Sequence, residues 1–171
     1  KYPDYGRSLA YVTQFNGVDS TVANKTPLVQ KFTGYRQMDL LEKVVFVPNE
    51  NLKLALNVQY STSSDIPRYD RLNDYDGDDL KFAEWSYGPQ KRFFSAFSSS
   101  FLKPTRWFDQ SKIIVAFQDV TESRINRRFR TDERITRQEN VKAYSLNYDL
   151  HKNIGENHRI SYGLEAVRND V

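Results

Sequence analysis

The chain has 171 residues, enough for one domain with a real core, and its 25 basic and 22 acidic residues leave a net charge of only +3. So mixed a surface gives no reason to expect nucleic acid as a partner. Hydrophobic residues reach 39% while aromatics reach 14%, a balance that favours many one-sided strands over buried helices. No run of about 18 apolar residues occurs, which excludes a membrane-spanning helix but not membrane-spanning strands, whose alternation averages out as hydrophilic. Without cysteine there is no disulfide or thiolate metal site, and the compartment stays open. The chain contains no signal peptide and opens on Lys1-Tyr2-Pro3, and Val171 follows directly on a strand-like segment, so the chain is expected to be part of something longer.

In chain order, Arg7 to Thr13 is short and apolar and reads as a strand. The polar stretch from Gln14 to Lys31, with Asn16-Gly17, Asn24 and Pro27, reads as a long loop. From Tyr35 to Val47, Met38, Leu40, Val44 and Phe46 share one face, interrupted by Glu42, and Gln37, Asp39 and Lys43 share the other. Pro48 to Asn51 then turns into a strand in which Leu52, Leu54, Leu56, Val58 and Tyr60 alternate with Lys53, Ala55, Asn57 and Gln59.

The stretch from Tyr60 to Phe94 has the length of a loop but not the composition of a disordered one. Ile66, Tyr69, Tyr75, Phe82, Trp85 and Tyr87 are interleaved with its charges, and disordered segments are poor in aromatics. An ordered recognition loop is expected. Residues 91–102 are β-rich, but either Phe93/Phe97/Phe101 or Phe94/Ala96/Leu102 could be the apolar set. Lys103 to Asp109 is a short connection, and Ile113, Val115 and Phe117 begin another strand. Residues 119–140 read as a second long polar excursion. Tyr144, Leu146, Tyr148 and Leu150 form a return strand, His151 to Asn157 a turn, and Ile160, Tyr162, Leu164 and Ala166 a last strand.

Short and long connections therefore alternate, and most segments reach the 9–11 residues a strand needs to cross a bilayer, against about 5–6 for ordinary globular strands. The expectation is an all-β fold, an antiparallel up-and-down sheet of about seven long strands. Leu54, Leu56, Val58, Val115, Phe117, Leu146, Ile160, Tyr162 and Leu164 should face lipid. Lys53, Asn57, Gln59, Asn147 and Glu165 should face a lumen. Seven strands do not close a single-chain bacterial barrel, whose strand number is even and at least 8.

The segments YSTSSDIPRYDRL from Tyr60, AEWSYGPQK from Ala83, QDVTESRINRRF from Gln118, ITRQENVKAYSLNYDL from Ile135 and YGLEAV from Tyr162 resemble the barrel domain of TonB-dependent outer-membrane receptors of the Bacteroidetes type. The resemblance runs from about Tyr5 to Val167, with the motifs in order. It implies a 22-stranded barrel around an N-terminal plug, and import of a scarce ligand such as a siderophore, haem, cobalamin or a glycan. The partners it implies are that ligand, outer-membrane lipid, and the TonB complex through parts of the protein outside this chain. Neither plug motifs nor a TonB box occurs here, so residues 1–171 are expected to be a partial barrel domain in the bacterial outer membrane. The resemblance carries over no catalytic residue, cofactor or metal ligand. A soluble, secreted β-sandwich presenting the same loops to glycans is the alternative. An enzyme is disfavoured because no Ser/His/acid arrangement is visible.

Within the first long loop, Tyr69, Tyr75 and Trp85 are the ligand-contact candidates, because rigid aromatic rings dominate interface energetics. Arg68 and Arg71 are expected to hold the loop by pairing with Asp65, Asp70 or Asp74. Asp74 to Asp79 invites a calcium reading, but Gly77 stands fourth and Trp85 twelfth where an EF-hand loop needs Gly sixth and Glu twelfth. Arg124, Arg127, Arg128, Arg130, Arg134 and Arg137 suit an anionic ligand or a lipopolysaccharide phosphate. The interspersed acids favour instead a strand pair with compensating charges. His151 and His158 flank a short turn, away from any ligand, and Trp107-Phe108 and Tyr148 suit an interfacial aromatic girdle.

Overall fold

The structure, a computed structural model, describes residues 8–171; Arg7, expected to open the first strand, and Tyr5, where the resemblance begins, lie outside them. Twelve strands and one short helix follow in order among the described residues. They are β1 (Ala10–Phe15), β2 (Val18–Ala23), β3 (Gln37–Asn49), β4 (Leu52–Ser63), β5 (Ile66–Pro67), α1 (Tyr69–Leu72), β6 (Tyr75–Asp76), β7 (Asp79–Leu80), β8 (Phe82–Tyr87), β9 (Lys91–Phe101), β10 (Gln110–Arg128), β11 (Arg134–Ile154) and β12 (His158–Asp170). The fold is all-β, with antiparallel sheets.

The six long strands form an up-and-down sheet in the order β12-β11-β10-β9-β4-β3, each beside its long neighbours in sequence, and the sheet is open. The expected count of about seven is corrected to six. The segment read as a first strand is β1, and it leaves the large sheet to pair with β2. Asn16 (φ 51°) and Gly17 (φ 80°) make the two-residue turn between them, because an Asn-Gly pair accepts the left-handed backbone that matches strand twist. The loop expected over Gln14 to Lys31 thus contains a hairpin. At the other end of the chain, β11 and β12 pair from Lys142↔Asp170 to Ile154↔His158, so the turn is residues 155–157 and His151 lies within a strand. Tyr148, expected near a turn, is mid-strand opposite Leu164.

The chain divides into two compact units. Of the described residues, one unit comprises 8–38, Thr62–Gln90 and Thr121–Glu139; the other comprises Asp39–Ser61, Lys91–Val120 and Asn140–Val171. The second unit has the period-two facing that its sequence predicts. Phe93, Phe117 and Tyr144 pack in series as tilted rings at centroid distances of 6.2 Å and 5.1 Å, and Phe97, Val115 and Leu146 share a hollow on that face. This settles the orientation of β9: Phe93, Phe97 and Phe101 are the apolar set, while Ala96, Ser98 and Ser100 lie with Lys53 and Asn57 on the other face. Asn147 and Glu165 share a polar hollow with Asp149, His151 and Ser161.

The apolar face is bare. Leu56 is 42% exposed, Val115 50% and Leu164 55%, whereas Leu80 and Ile125, both in the first unit, are the buried hydrophobic residues among those described. Pro48 sits in β3, an edge strand of the sheet, the kind of strand to which proline is largely confined because it has no N–H for a ladder. Gly163 stands where a Cβ would overlap the Tyr148 carbonyl oxygen of the neighbouring strand.

The short connection between β9 and β10 is fastened within the second unit. Lys152 Nζ donates to Asp109 Oδ1 and to the Thr105 carbonyl, both at 2.7 Å, and Asn153 N–H donates to Asp109 Oδ2 at 2.8 Å. These bonds hold the Asp109 carboxyl below its ordinary range. Trp107 remains 71% exposed, and its carbonyl accepts from the Tyr162 hydroxyl at 2.7 Å.

Candidate functional site

The first unit gathers both long excursions, residues 62–90 and 121–139, together with the β1–β2 hairpin. The excursion after β4 is far from structureless. Its β8 pairs with β10 from Arg124↔Tyr87 to Arg128↔Phe82, with a register shift at Arg127/Arg128, and β5 pairs with β8. The expected polar excursion over 119–140 is likewise corrected: β10 runs to Arg128 and β11 starts at Arg134, leaving 129–133 as the connection. Alternate polar residues satisfy a strand as readily as a loop when each face has partners, and polarity alone does not separate the two.

Asp19 is the electrostatic centre of this unit. The Arg127 guanidinium donates to both its oxygens, at 2.7 Å and 2.9 Å, and Arg130 N–H donates at 2.8 Å and Gln14 Nε2 at 3.0 Å. The carboxylate is 5% exposed, and a buried charge persists only when paired and hydrogen-bonded in this way. The Arg127 fork, foremost among these donors, lowers the Asp19 pKa to about 2. Arg130 takes a left-handed backbone (φ 59°), which turns the 129–133 connection back. In the sequence nothing marks Asp19 except its place just after an Asn-Gly turn.

Arg134 donates to Glu84 through Nε and Nη2, both at 2.9 Å, and Arg130 reaches Asp79 at 3.4 Å. Three of the six clustered arginines are thus compensated, by acids of β2, β7 and β8 rather than by the acids interspersed among them. Arg124 and Arg128 are exposed on β10, as is Arg137 on β11. Of the acidic run, Asp74 pairs with Arg71 at 3.3 Å and Asp79 with Arg130. Asp76 and Asp79 face each other across a turn at Gly77 (φ 67°). Among the described residues no three acidic or histidine side chains converge on a point where a metal could sit.

The three aromatic candidates are not brought to one place. Tyr69 opens α1 and lines a cleft of about 50 Å³ with Tyr11, Lys31, Phe32 and Phe82, well below the roughly 300–1,000 Å³ of small-molecule pockets. Phe32 holds a left-handed backbone (φ 56°) there and meets Tyr11 edge-on at 5.5 Å. Tyr75 stands on the β6–β7 hairpin, 51% exposed. Trp85 lies on β8, half-buried, edge-on to Tyr87 at 5.3 Å. The Arg68 guanidinium covers both rings, 5.0 Å from the Trp85 centroid and 5.1 Å from that of Tyr87, and donates to the Tyr87 hydroxyl at 2.6 Å.

Arg68 is itself oriented by Asp70, to which its Nε donates at 2.9 Å. The pairing of Arg68 and Arg71 with loop acids is therefore as the sequence suggested, and the Arg68 bond holds the Asp70 carboxyl below its ordinary range. Trp85 is a packing residue in this arrangement, and Tyr75 is the candidate left open to a ligand. In the same unit Gly88 (φ 125°) is buried, and a Cβ there would come within 2.8 Å of Asp65 Cα and 3.0 Å of the Ser64 carbonyl. Its N–H donates to the Ser123 carbonyl at 2.9 Å, and the Ser123 hydroxyl donates back to the Gly88 carbonyl.

Comparison with protein-family models, curated proteins and solved structures finds no match to this chain. The chemistry available to the unit is that of a surface: ring faces, exposed arginines and a charge network that holds two excursions together.

Proposed function

We propose that this chain is a section of the barrel wall of a bacterial outer-membrane, TonB-dependent receptor, and that its first unit helps capture the imported ligand. The role is uptake, without catalysis by this chain. The observation that carries the reading is the uncovered apolar face of the six-stranded sheet. Strands of up to 21 residues expose Leu56, Val115, Ile160 and Leu164 on one side, and no residue of the second unit is a buried hydrophobic among those described. A water-soluble sheet of this size buries one face against another layer, since apolar burial is its chief source of stability. A barrel wall meets the same need with hydrocarbon.

The test is the chain's behaviour in detergent and in water. In non-ionic micelles it should give a strand-rich circular dichroism spectrum and resist aggregation. In buffer alone, the open edges of β3 and β12 and the bare face should drive association. A monomer in detergent-free buffer that melts cooperatively would overturn the barrel-wall reading and favour a soluble β-sandwich.

A further inference from the structure

The polar face of the large sheet offers more than a passive wall. We propose that it carries a binding site for a small polyanionic solute, held by Lys43, Lys53 and Lys112; calling this face lumenal rests on the barrel-wall reading, whereas the cation cluster does not. Period-two alternation brings Lys43 of β3, Lys53 of β4 and Lys112 of β10 around one cleft of about 310 Å³, with the small side chains of Ala55, Ala96 and Ser98 between them. That volume lies at the lower end of the range for small-molecule sites, about 300–1,000 Å³.

Among the described residues no acid neutralises the three lysines, and none of the three takes part in an ion pair. The acids of the same face are engaged or elsewhere: Asp39 accepts from the Ser61 hydroxyl, and Asp149 and Glu165 line a separate cleft on β11 and β12. Three like charges around one hollow repel one another and create a positive potential, which a multiply charged anion relieves. Asn57 lies in the same cleft with its Oδ1 shielded from water and without a donor, so its amide still has a hydrogen bond to make. The occupant that meets both demands carries at least two anionic groups, of phosphate or carboxylate type, and one O–H or N–H.

Lysine suits such a solute better as a passing guest than as a fixed one, because its ammonium is a compact, hydrated point charge and lacks arginine's rigid fork. The cleft's size admits a small molecule and not a polypeptide element. A lipid headgroup is unsuited, since the residues that would face hydrocarbon are on the opposite side of the sheet.

The experiment is calorimetric titration of the whole chain in non-ionic micelles with inorganic pyrophosphate, repeated over a salt series. Binding should weaken as salt rises. Lys43→Gln, Lys53→Gln and Lys112→Gln should each weaken it by up to about fivefold, and the triple variant should abolish it. Asp149→Asn, in the neighbouring cleft, should leave it unchanged. No binding by a chain that retains its strand spectrum would overturn the proposal, as would equal weakening by Asp149→Asn. Binding of hexaglutamate in place of pyrophosphate would also overturn it, pointing to an acidic protein segment as the occupant. Should the chain prove monomeric in plain buffer yet bind pyrophosphate through these lysines, the barrel-wall reading fails and the anion site stands.

Discussion

Asp19 shows how much of the excursion unit depends on one side chain. It takes four hydrogen bonds from Arg127, Arg130 and Gln14, and its folded-state pKa of about 2 lies below the ordinary carboxylate value. Folding therefore favours the ionised form. The stabilisation, roughly 2–3 kcal/mol by linkage, is complete above about pH 4 and is lost as pH falls toward 2. Protection of the β1–β2 amides, taken relative to their intrinsic exchange rates, should fall between pH 4 and pH 2, and Asp19→Asn should show the lower protection already at pH 7. Protection that stays flat through that window would remove Asp19 as the lock. Arg127→Gln should be worse than a surface charge deletion, by about 3–5 kcal/mol, because it leaves Asp19 buried and unpaired.

Gly88 makes the complementary case, in which backbone rather than charge decides. Its φ of 125° disfavours any side chain, and a Cβ would strike the backbone of Ser64 and Asp65. Gly88→Ala should lower the stability of the excursion unit by about 1–3 kcal/mol, read as a fall in its denaturant midpoint. An unchanged midpoint would show that the 64–66 segment yields without cost.

For the strands as elements, alternation is the governing rule, and its two faces differ in every property that a probe can read. Leu56 and Asn57 are neighbours on β4 with opposite facings. A spin label at Leu56 in a lipid bilayer should be relaxed by dissolved oxygen, and one at Asn57 by a water-soluble nickel chelate. The energetic basis is depth-dependent: a basic residue on the lipid side of a barrel costs about 2–4 kcal/mol at mid-membrane. Leu56→Arg should accordingly impair insertion, while Asn57→Arg should not. Oxygen contact at Asn57 with chelate contact at Leu56 would reverse the facing of the whole sheet.

The molecule as a whole makes a prediction about sides. If each long strand crosses the membrane, three crossings (β9, β10 and β11) separate Asp76 in the β6–β7 hairpin from Glu156 in the β11–β12 turn, which places the two on opposite sides. The chain lacks cysteine, so single substitutions give clean labels. In intact cells an impermeant maleimide should modify Asp76→Cys and reach Glu156→Cys only after the outer membrane is permeabilised. Labelling of Glu156→Cys in intact cells, with Asp76→Cys protected, would invert the topology and move ligand capture away from the first unit.

The sequence by itself determined the all-β class, the long strands, the short turns and the two faces of the sheet, because period-two alternation is a local property that survives whatever packs against it. It also determined that Arg68 and Arg71 have acids within reach, since those partners lie two and three residues away. It did not determine where polar stretches become strands. The upper parts of β10 and β11 are polar on both sides, and what makes that part of β10 a strand is pairing with residues distant in sequence, Asn126 with Trp85 and Ile125 with Ser86, while the polar stretch after Asn16-Gly17 becomes β2 by pairing with β1. The same holds for the candidate site. Tyr69, Tyr75 and Trp85 look alike as exposed aromatics in one loop, yet tertiary structure puts Tyr69 in a small cleft, covers Trp85 with Arg68 and leaves Tyr75 open. Asp19 and Arg127 stand 108 residues apart. An ion pair of that span has no local signature, and only the folded chain brings its two halves together.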